Sequence, residues 1–292
     1  MNRSDKRSFR SLRQKALPIR LMAIMAMVAL VFAACGSEED DTPTNAGGKD
    51  APSFETIDEG VLQVGSCLDY KPFEFVKNGE ETGFDVELTE AIAEELGLEV
   101  EWVRADFDTI FSSVAAQKFD MVAAASTITP ERQQTVDFSD PYYAARQALT
   151  INTNETPDIA TVEDLASGDV IAVLKGTTGE AYAKDNAPEG VEVKSFPSIS
   201  DAFTDLEAGN VAAVLNDEPS SAEEVKTRPG LEVVEAIDTD ENYGFAFSKD
   251  NPDLTLAVND ALKTIIDDGT YEEIFKTYFP DVEVPEEFAA SS

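Results

Sequence analysis

From Gly60 onward the chain alternates strand-like and helix-like segments, and it does so twice in the same order. "GVLQVGSC" reads as a strand and "DVELTEAIAEELG" as an amphipathic helix with Leu88, Ala91, Ile92 and Leu96 on one stripe. "EVEWVRA" is a strand and "FDTIFSSVAAQ" a second helix. "DMVAAA" is a nearly all-apolar strand, as expected when both faces of a sheet are covered. That order is a βαβαβ unit, which predicts a parallel sheet flanked by helices. A second unit follows: strand "DVIAVL", helix "TGEAYAKDN", strand "EVKSFP", helix "SISDAFTDLEAG", strand "VAAVLN". The C-terminal stretches "NPDLTLAVNDALKTIIDDG" and "TYEEIFKTYF" are amphipathic helices with no strand series, and are expected to pack back on an earlier lobe. The fold class is therefore α/β, with two open lobes and a cleft between them. A chain of 292 residues with 42% apolar content can fill both cores. Ligands of such sheets sit beyond the carboxyl ends of the strands.

The first 34 residues do not belong to that pattern. Residues 1–20 carry seven Lys/Arg and one acid, followed by the apolar run Leu21–Ala34, "LMAIMAMVALVFAA". Fourteen residues are short for a membrane span and suit the apolar core of a secretory signal. Ala33 and Ala34 before Cys35, then Gly36 and Ser37, resemble a bacterial lipobox, with cleavage before Cys35 and diacylglycerol on its sulfur. Phe32 departs from that pattern, which prefers a smaller aliphatic there. Residues 35–56 then read as the lipidated cysteine and a disordered polar tether, with an r.m.s. reach of roughly 25 Å. Cys67 is the only other cysteine, so an acylated Cys35 leaves no intramolecular disulfide. The net charge is −36, and without residues 1–34 it is −42, from 15 basic against 57 acidic residues. Such a surface excludes nucleic acid as a partner and is read as strongly solvated.

Three places carry candidate chemistry. In "ASTITPERQQTVDFSDPYY", Thr129 is a good N-cap and Pro130 a good first-turn residue, which puts Arg132 in the first turn of a helix. A cation there opposes the helix dipole, and an anion bound by the guanidinium and free amides would repay the cost. The alternative is a surface arginine paired with Glu131 or Asp137. In "KGTTG", Gly176 and Gly179 allow close approach while Thr177 and Thr178 offer hydroxyls and amides. The spacing lacks the Walker and GxGxxG fingerprints, so a carboxylate fits better than a nucleotide, the alternative being an ordinary strand-to-helix turn. Asp217 ends the strand "VAAVLN", placed either to pair with a ligand ammonium or to cap the helix that follows. Tyr70 and Phe107 lie at element ends, as core or cleft aromatics.

"GFDVELTEAIAEEL", "FDMVAAASTITPERQQTVDFSDPYY", "LKGTTGEAYA" and "VLNDEP" together resemble the family-3 extracellular solute-binding proteins, the polar amino-acid receptors of ABC importers. The resemblance runs over residues 57–284. It implies the two-lobed periplasmic-binding-protein (type II, Venus-flytrap) fold, with lobe 1 at 57–147 plus 244–284, lobe 2 at 148–243, a hinge near "RQALTIN" and "ENYGFAF", and a disordered tail at 285–292. It also implies roles. Arg132 clamps the ligand α-carboxylate with Thr127, and Thr178 with Thr177 beside it donates from the second lobe. The Ala125 carbonyl and Asp217 take the α-ammonium, and Tyr70 and Phe107 sandwich the side chain. Cys67 stands where members reading basic or amide side chains often carry Asp, and Lys175 is a cation near the side-chain end. Together these favour Glu, Gln or Asp as ligand. Asn216 and Glu218 flank Asp217 as further candidates. The expected protein is a monomeric, lipid-anchored amino-acid receptor on the outer face of the membrane. It passes its ligand to permease subunits by lobe closure, with no cofactor, metal or catalysis. A periplasmic dehydratase of the prephenate or arogenate class, a sensor ectodomain and an adhesive surface protein are the alternatives. The dehydratase needs a catalytic acid in a chain that has no histidine.

Overall fold

The computed structural model describes residues 54–290; the leader, Cys35 and most of the tether lie outside them. The first βαβαβ unit runs through β1 (Val61–Ser66), then a small sheet of β2 (Asp69–Tyr70), β3 (Glu74–Lys77) and β4 (Glu80–Thr82), then α1 (Phe84–Leu96), β5 (Glu99–Arg104), α2 (Phe107–Ala115) and β6 (Met121–Val122). β1 lies parallel between β5 and β6. The β3–β4 hairpin turns on Asn78 and Gly79, both at positive φ, the conformation that a two-residue Asn-Gly turn supplies. α1 buries Leu88 and Ile92 and stops at Gly97 in the left-handed conformation.

Two expectations change here. "DMVAAA" pairs only at Met121 and Val122, because the chain then turns out of the sheet, with Ala125 at φ 43°. Arg132 opens no full helix. Arg132–Gln134 is one 3-10 turn, and by Val136 the chain has entered β7 (Val136–Phe138) to pair with β13 (Ala246–Ser248). Thr129 does accept the Arg132 N–H at 3.1 Å, but a single turn carries no helix dipole to speak of.

β8 (Tyr143–Asn152) joins the second sheet from Tyr143, ahead of the boundary expected at 147/148. The second unit follows as β9 (Val170–Leu174), α3 (Thr178–Asn186), β10 (Glu192–Phe196), α4 (Ile199–Glu207) and β11 (Ala213–Asp217), then α5 (Glu218–Thr227). β12 (Leu231–Tyr243) runs back antiparallel along β8, and β13 (Ala246–Ser248) returns to the first sheet. The sheet orders are β5-β1-β6-β13-β7 and β10-β9-β11-β8-β12, so each unit sets its first strand between its second and third. α6 (Pro252–Asp267) and α7 (Thr270–Tyr278) pack on α1, back on the first lobe.

The described part of each segment expected to be disordered is docked. Phe54 packs on the core, and the Glu55 carbonyl accepts from Asn251 Nδ2 at 2.8 Å. Residues 286–288 form a 3-10 turn with Phe288 buried against Tyr271, ring centroids 5.5 Å apart, so this part of the tail expected at 285–292 is ordered, while residues 291–292 lie outside the described residues. An apolar residue there is worth more against the first lobe than in water. Aromatic rings meet where the chain passes between sheets: Phe73 lies 5.1 Å from Tyr143 and 5.3 Å from Tyr243.

Candidate functional site

The carboxyl ends of β1, β6, β9 and β11 converge on one cavity of about 70 Å³, whose walls include Tyr70, Phe107, Ala125, Thr177 and Asp217. The two lobes touch across it. Lys175 Nζ pairs with Asp108 at 2.7 Å, Arg132 Nη2 donates to the Gly176 carbonyl at 3.2 Å, and the Tyr70 hydroxyl donates to Asn216 and Asp217 at 2.9 and 2.7 Å. The cleft is closed.

Arg132 makes no ion pair with Glu131 or Asp137; its Nη1 donates to the Thr127 carbonyl at 2.7 Å. The guanidinium lies over the Phe111 and Phe107 rings, 4.5 and 5.2 Å from their centroids. Burial lowers its pKa to about 10, against the charges of Asp217 and Glu241. It remains charged at neutral pH and stands behind Phe107, itself a wall of the cavity, with N–H groups beyond the two it gives to Thr127 and Gly176.

Asp217 does not cap α5: its side chain makes no cap hydrogen bond. Its carboxylate instead accepts from Tyr243 at 2.6 Å, Tyr70 at 2.7 Å and Gln147 at 2.5 Å. Burial, then the charge of Glu241, push its pKa up to about 6, against those hydrogen bonds. Among the described residues no salt bridge reaches it, although its charge acts on Arg132. Beside it, Ala125 is pinned in its left-handed conformation by an N–H bond to Asp85 Oδ2 at 2.8 Å. Asp85 is held in turn by the Tyr142 hydroxyl at 2.8 Å, and burial raises its pKa to about 6. Ala125 thus faces the cavity on a braced backbone.

The two threonines divide the work. Thr177 caps α3: its hydroxyl accepts the Glu180 N–H at 3.1 Å and donates to the Leu174 carbonyl at 2.7 Å. Thr178 and Thr127 both donate their hydroxyls to Glu241 Oε2, each at 2.7 Å. Tyr70 and Phe107 line the cavity, but Tyr70 acts through its hydroxyl as much as its ring. Lys175 is a rim residue, its side chain 59% exposed and tied to Asp108 rather than to the cavity. Glu218 is also outside, in an ion pair with Arg146.

The cavity wall carries the acids Asp69, Glu74, Asp106 and Asp217 against one base, Arg104. Glu74 is 1% exposed and its Oε2 has no partner. Burial, then the charges of Asp85, Asp69 and Asp217, hold its pKa well above the usual carboxylate range. Burial likewise pushes the Cys67 thiol up, so it is a neutral wall of the cavity and not a nucleophile. Among the described residues no cluster of His, Cys, Asp and Glu is arranged to hold a metal.

Residues 62–281 match the model of the bacterial extracellular solute-binding proteins, family 3. The chain belongs to that family. The lysine/arginine/ornithine-binding periplasmic protein of Escherichia coli K12 is 33% identical over 239 residues, covering 78% of this chain and 91% of that one. An ancestral arginine-binding protein solved with arginine is 40% identical with TM-score 0.71, covering 75% and 98%. The ancestral amino acid-binding protein AncCDT-1, a precursor of cyclohexadienyl dehydratase, is also 40% identical with TM-score 0.71, covering 75% of this chain and 96% of that one.

In this solute-binding protein Gln147, Glu241, Tyr243 and Glu74 join the site without belonging to any of its sequence motifs. Gln147 and Tyr243 sit on β8 and β12, where the chain passes between lobes, and no local motif marks that crossing. Glu74 lies in "YKPFEF", an acid in an aromatic-rich stretch, which is a readable sign of burial.

Proposed function

We propose that this protein binds a free L-amino acid with a cationic side chain outside the cytoplasmic membrane and hands it to an ABC importer on lobe closure. The observation that carries the ligand class is Glu74, a buried carboxylate with an unpaired oxygen in the wall of an acid-lined cavity. A guanidinium or ammonium there would ionise and pair it. Relatives named for lysine, arginine, ornithine and histidine support this class. The Glu, Gln or Asp preference drawn from Cys67 and Lys175 gives way, because Lys175 is spent on Asp108 at the rim and Asp69 and Glu74 stand near Cys67.

In this reading Arg132, Thr127 and Thr178 hold the α-carboxylate, and Asp217 with the Ala125 carbonyl takes the α-ammonium. Phe107 and Tyr70 enclose the side chain. Thr177 serves by holding the start of α3. Closure adds the Thr178 and Asp217 contacts, so ligand favours the closed form by the worth of those contacts. Lobe 1 is 57–142 plus 244–290, lobe 2 is 143–243, and diacylated Cys35 keeps the protein at the membrane as a monomer beside its permease.

Calorimetry against the twenty amino acids tests this. Arginine and lysine bind, and Arg132→Ala abolishes binding with the melting temperature preserved. Binding of glutamate or aspartate alone refutes the cationic class. Turnover of prephenate with no amino-acid ligand refutes the receptor reading in favour of a dehydratase. Release of the Cys35→Ser protein from the membrane fraction tests the anchor.

A further inference from the structure

Glu241 is 8% exposed in a chain whose other acids mostly face water. It sits on β12 just past the register shift between Ile237 and Glu241, beside Asp240 at φ 52°. That irregularity turns its side chain into the cleft. Oε1 accepts from Thr239 Oγ1 at 2.8 Å and Gln147 Nε2 at 3.1 Å. Oε2 accepts from Thr127 Oγ1, on the first lobe, and Thr178 Oγ1, on the second, both at 2.7 Å. Arg132 is close enough to feel its charge, yet no ion pair forms.

A threonine hydroxyl has one proton to give. While Thr127 and Thr178 give theirs to Glu241, neither can donate to a ligand carboxylate. Two carboxylates sharing one pair of hydroxyls also repel each other. The protein therefore places an anion of its own where the proposed ligand anion goes, bridging the same two lobes.

We propose that Glu241 is an internal stand-in for the ligand α-carboxylate. It clips Thr127 to Thr178 across the cleft and surrenders both hydroxyls on binding, so it sets how strongly a ligand carboxylate is selected. This rests on the reading of the cleft as an amino-acid site. On release, Glu241 keeps Thr239 and Gln147 on its other oxygen, so it need not leave the cleft.

The test is calorimetry of L-arginine and L-argininamide, which lacks the carboxylate, on the unaltered full chain and on Glu241→Gln. The preference for arginine over the amide widens about tenfold in Glu241→Gln, because the competing charge is gone. An unchanged or narrowed preference overturns the proposal and leaves Glu241 as a structural brace. Equal binding of the two ligands to the unaltered protein, with Arg132→Ala no weaker, refutes the amino-acid reading instead. Hydrogen exchange of the ligand-free protein decides the clip in either case. Glu241→Gln raises exchange at residues 125–132 and 174–180 by about fivefold while α1 is unchanged. No rise there overturns the clip.

Discussion

Lowering the pH from 7 to 5 weakens ligand binding by about tenfold, and Asp217 is the reason. Its pKa is about 6, raised by burial and by Glu241. A bound α-ammonium requires the ionised form, so below pH 6 the ligand must first expel a proton. The apparent dissociation constant then grows by the factor 1 + 10^(pKa − pH), roughly 11 at pH 5 and 1.1 at pH 7. The sign follows from the direction of the shift: a raised acid takes up its proton as pH falls, and affinity is lost on the acid side only. Calorimetry in two buffers of different ionisation enthalpy measures the proton count, about 0.9 released by Asp217 at pH 5 and about 0.1 at pH 7. Glu74, also raised, adds its own release when the side chain is cationic. Asp217→Asn removes the Asp217 share, together with the part of the Glu74 shift that the Asp217 charge causes. Affinity independent of pH between 5 and 7, or the same proton release in Asp217→Asn, refutes the pairing of Asp217 with the ligand.

Three further outcomes follow from the geometry. Lys175→Ala changes affinity by less than about fivefold, since water screens an ion pair on the exposed rim; calorimetry showing a hundredfold loss would return Lys175 to the ligand. Gly179→Ala keeps the fold but lowers affinity about tenfold, because its Cβ would stand 2.7 Å from Gln147 Oε1 and displace the amide that donates to Asp217 and Glu241. Phe288→Ala costs about 2–3 kcal/mol and lowers the melting temperature by several degrees in a thermal scan; an unchanged value means the C-terminal turn is not docked.

The alternation of apolar periods carried the fold, because strands and helices of a βαβ unit bury their faces locally enough to show in sequence. β1, α1, β5, α2, β9, α3, β10 and α4 all fall where the pattern put them. Elements whose geometry is set from a distance did not show. The turn at Arg132 is short because β7 must reach β13, more than a hundred residues away in the chain. Gln147 and Glu241 enter the site only because β8 and β12 pair along the crossing. Burial of Glu241 depends on hydroxyls from both lobes, which no window of sequence contains. The Asn78–Gly79 hairpin is a different case: "VKNGEE" carried a readable turn signal that the helix-and-strand alternation overshadowed.

That hairpin also offers a practical handle. Its tip at Asn78, Gly79 and Glu80 is exposed, while the sheet beneath it runs through Glu74 to Tyr70, which reaches Asp217 on the opposite lobe. An insertion at the tip leaves the cavity wall covalently untouched but mechanically joined to it. A circularly permuted fluorescent protein spliced between Asn78 and Gly79 would turn opening and closing of the lobes into a change of brightness, making the chain a genetically encoded optical sensor for its own ligand.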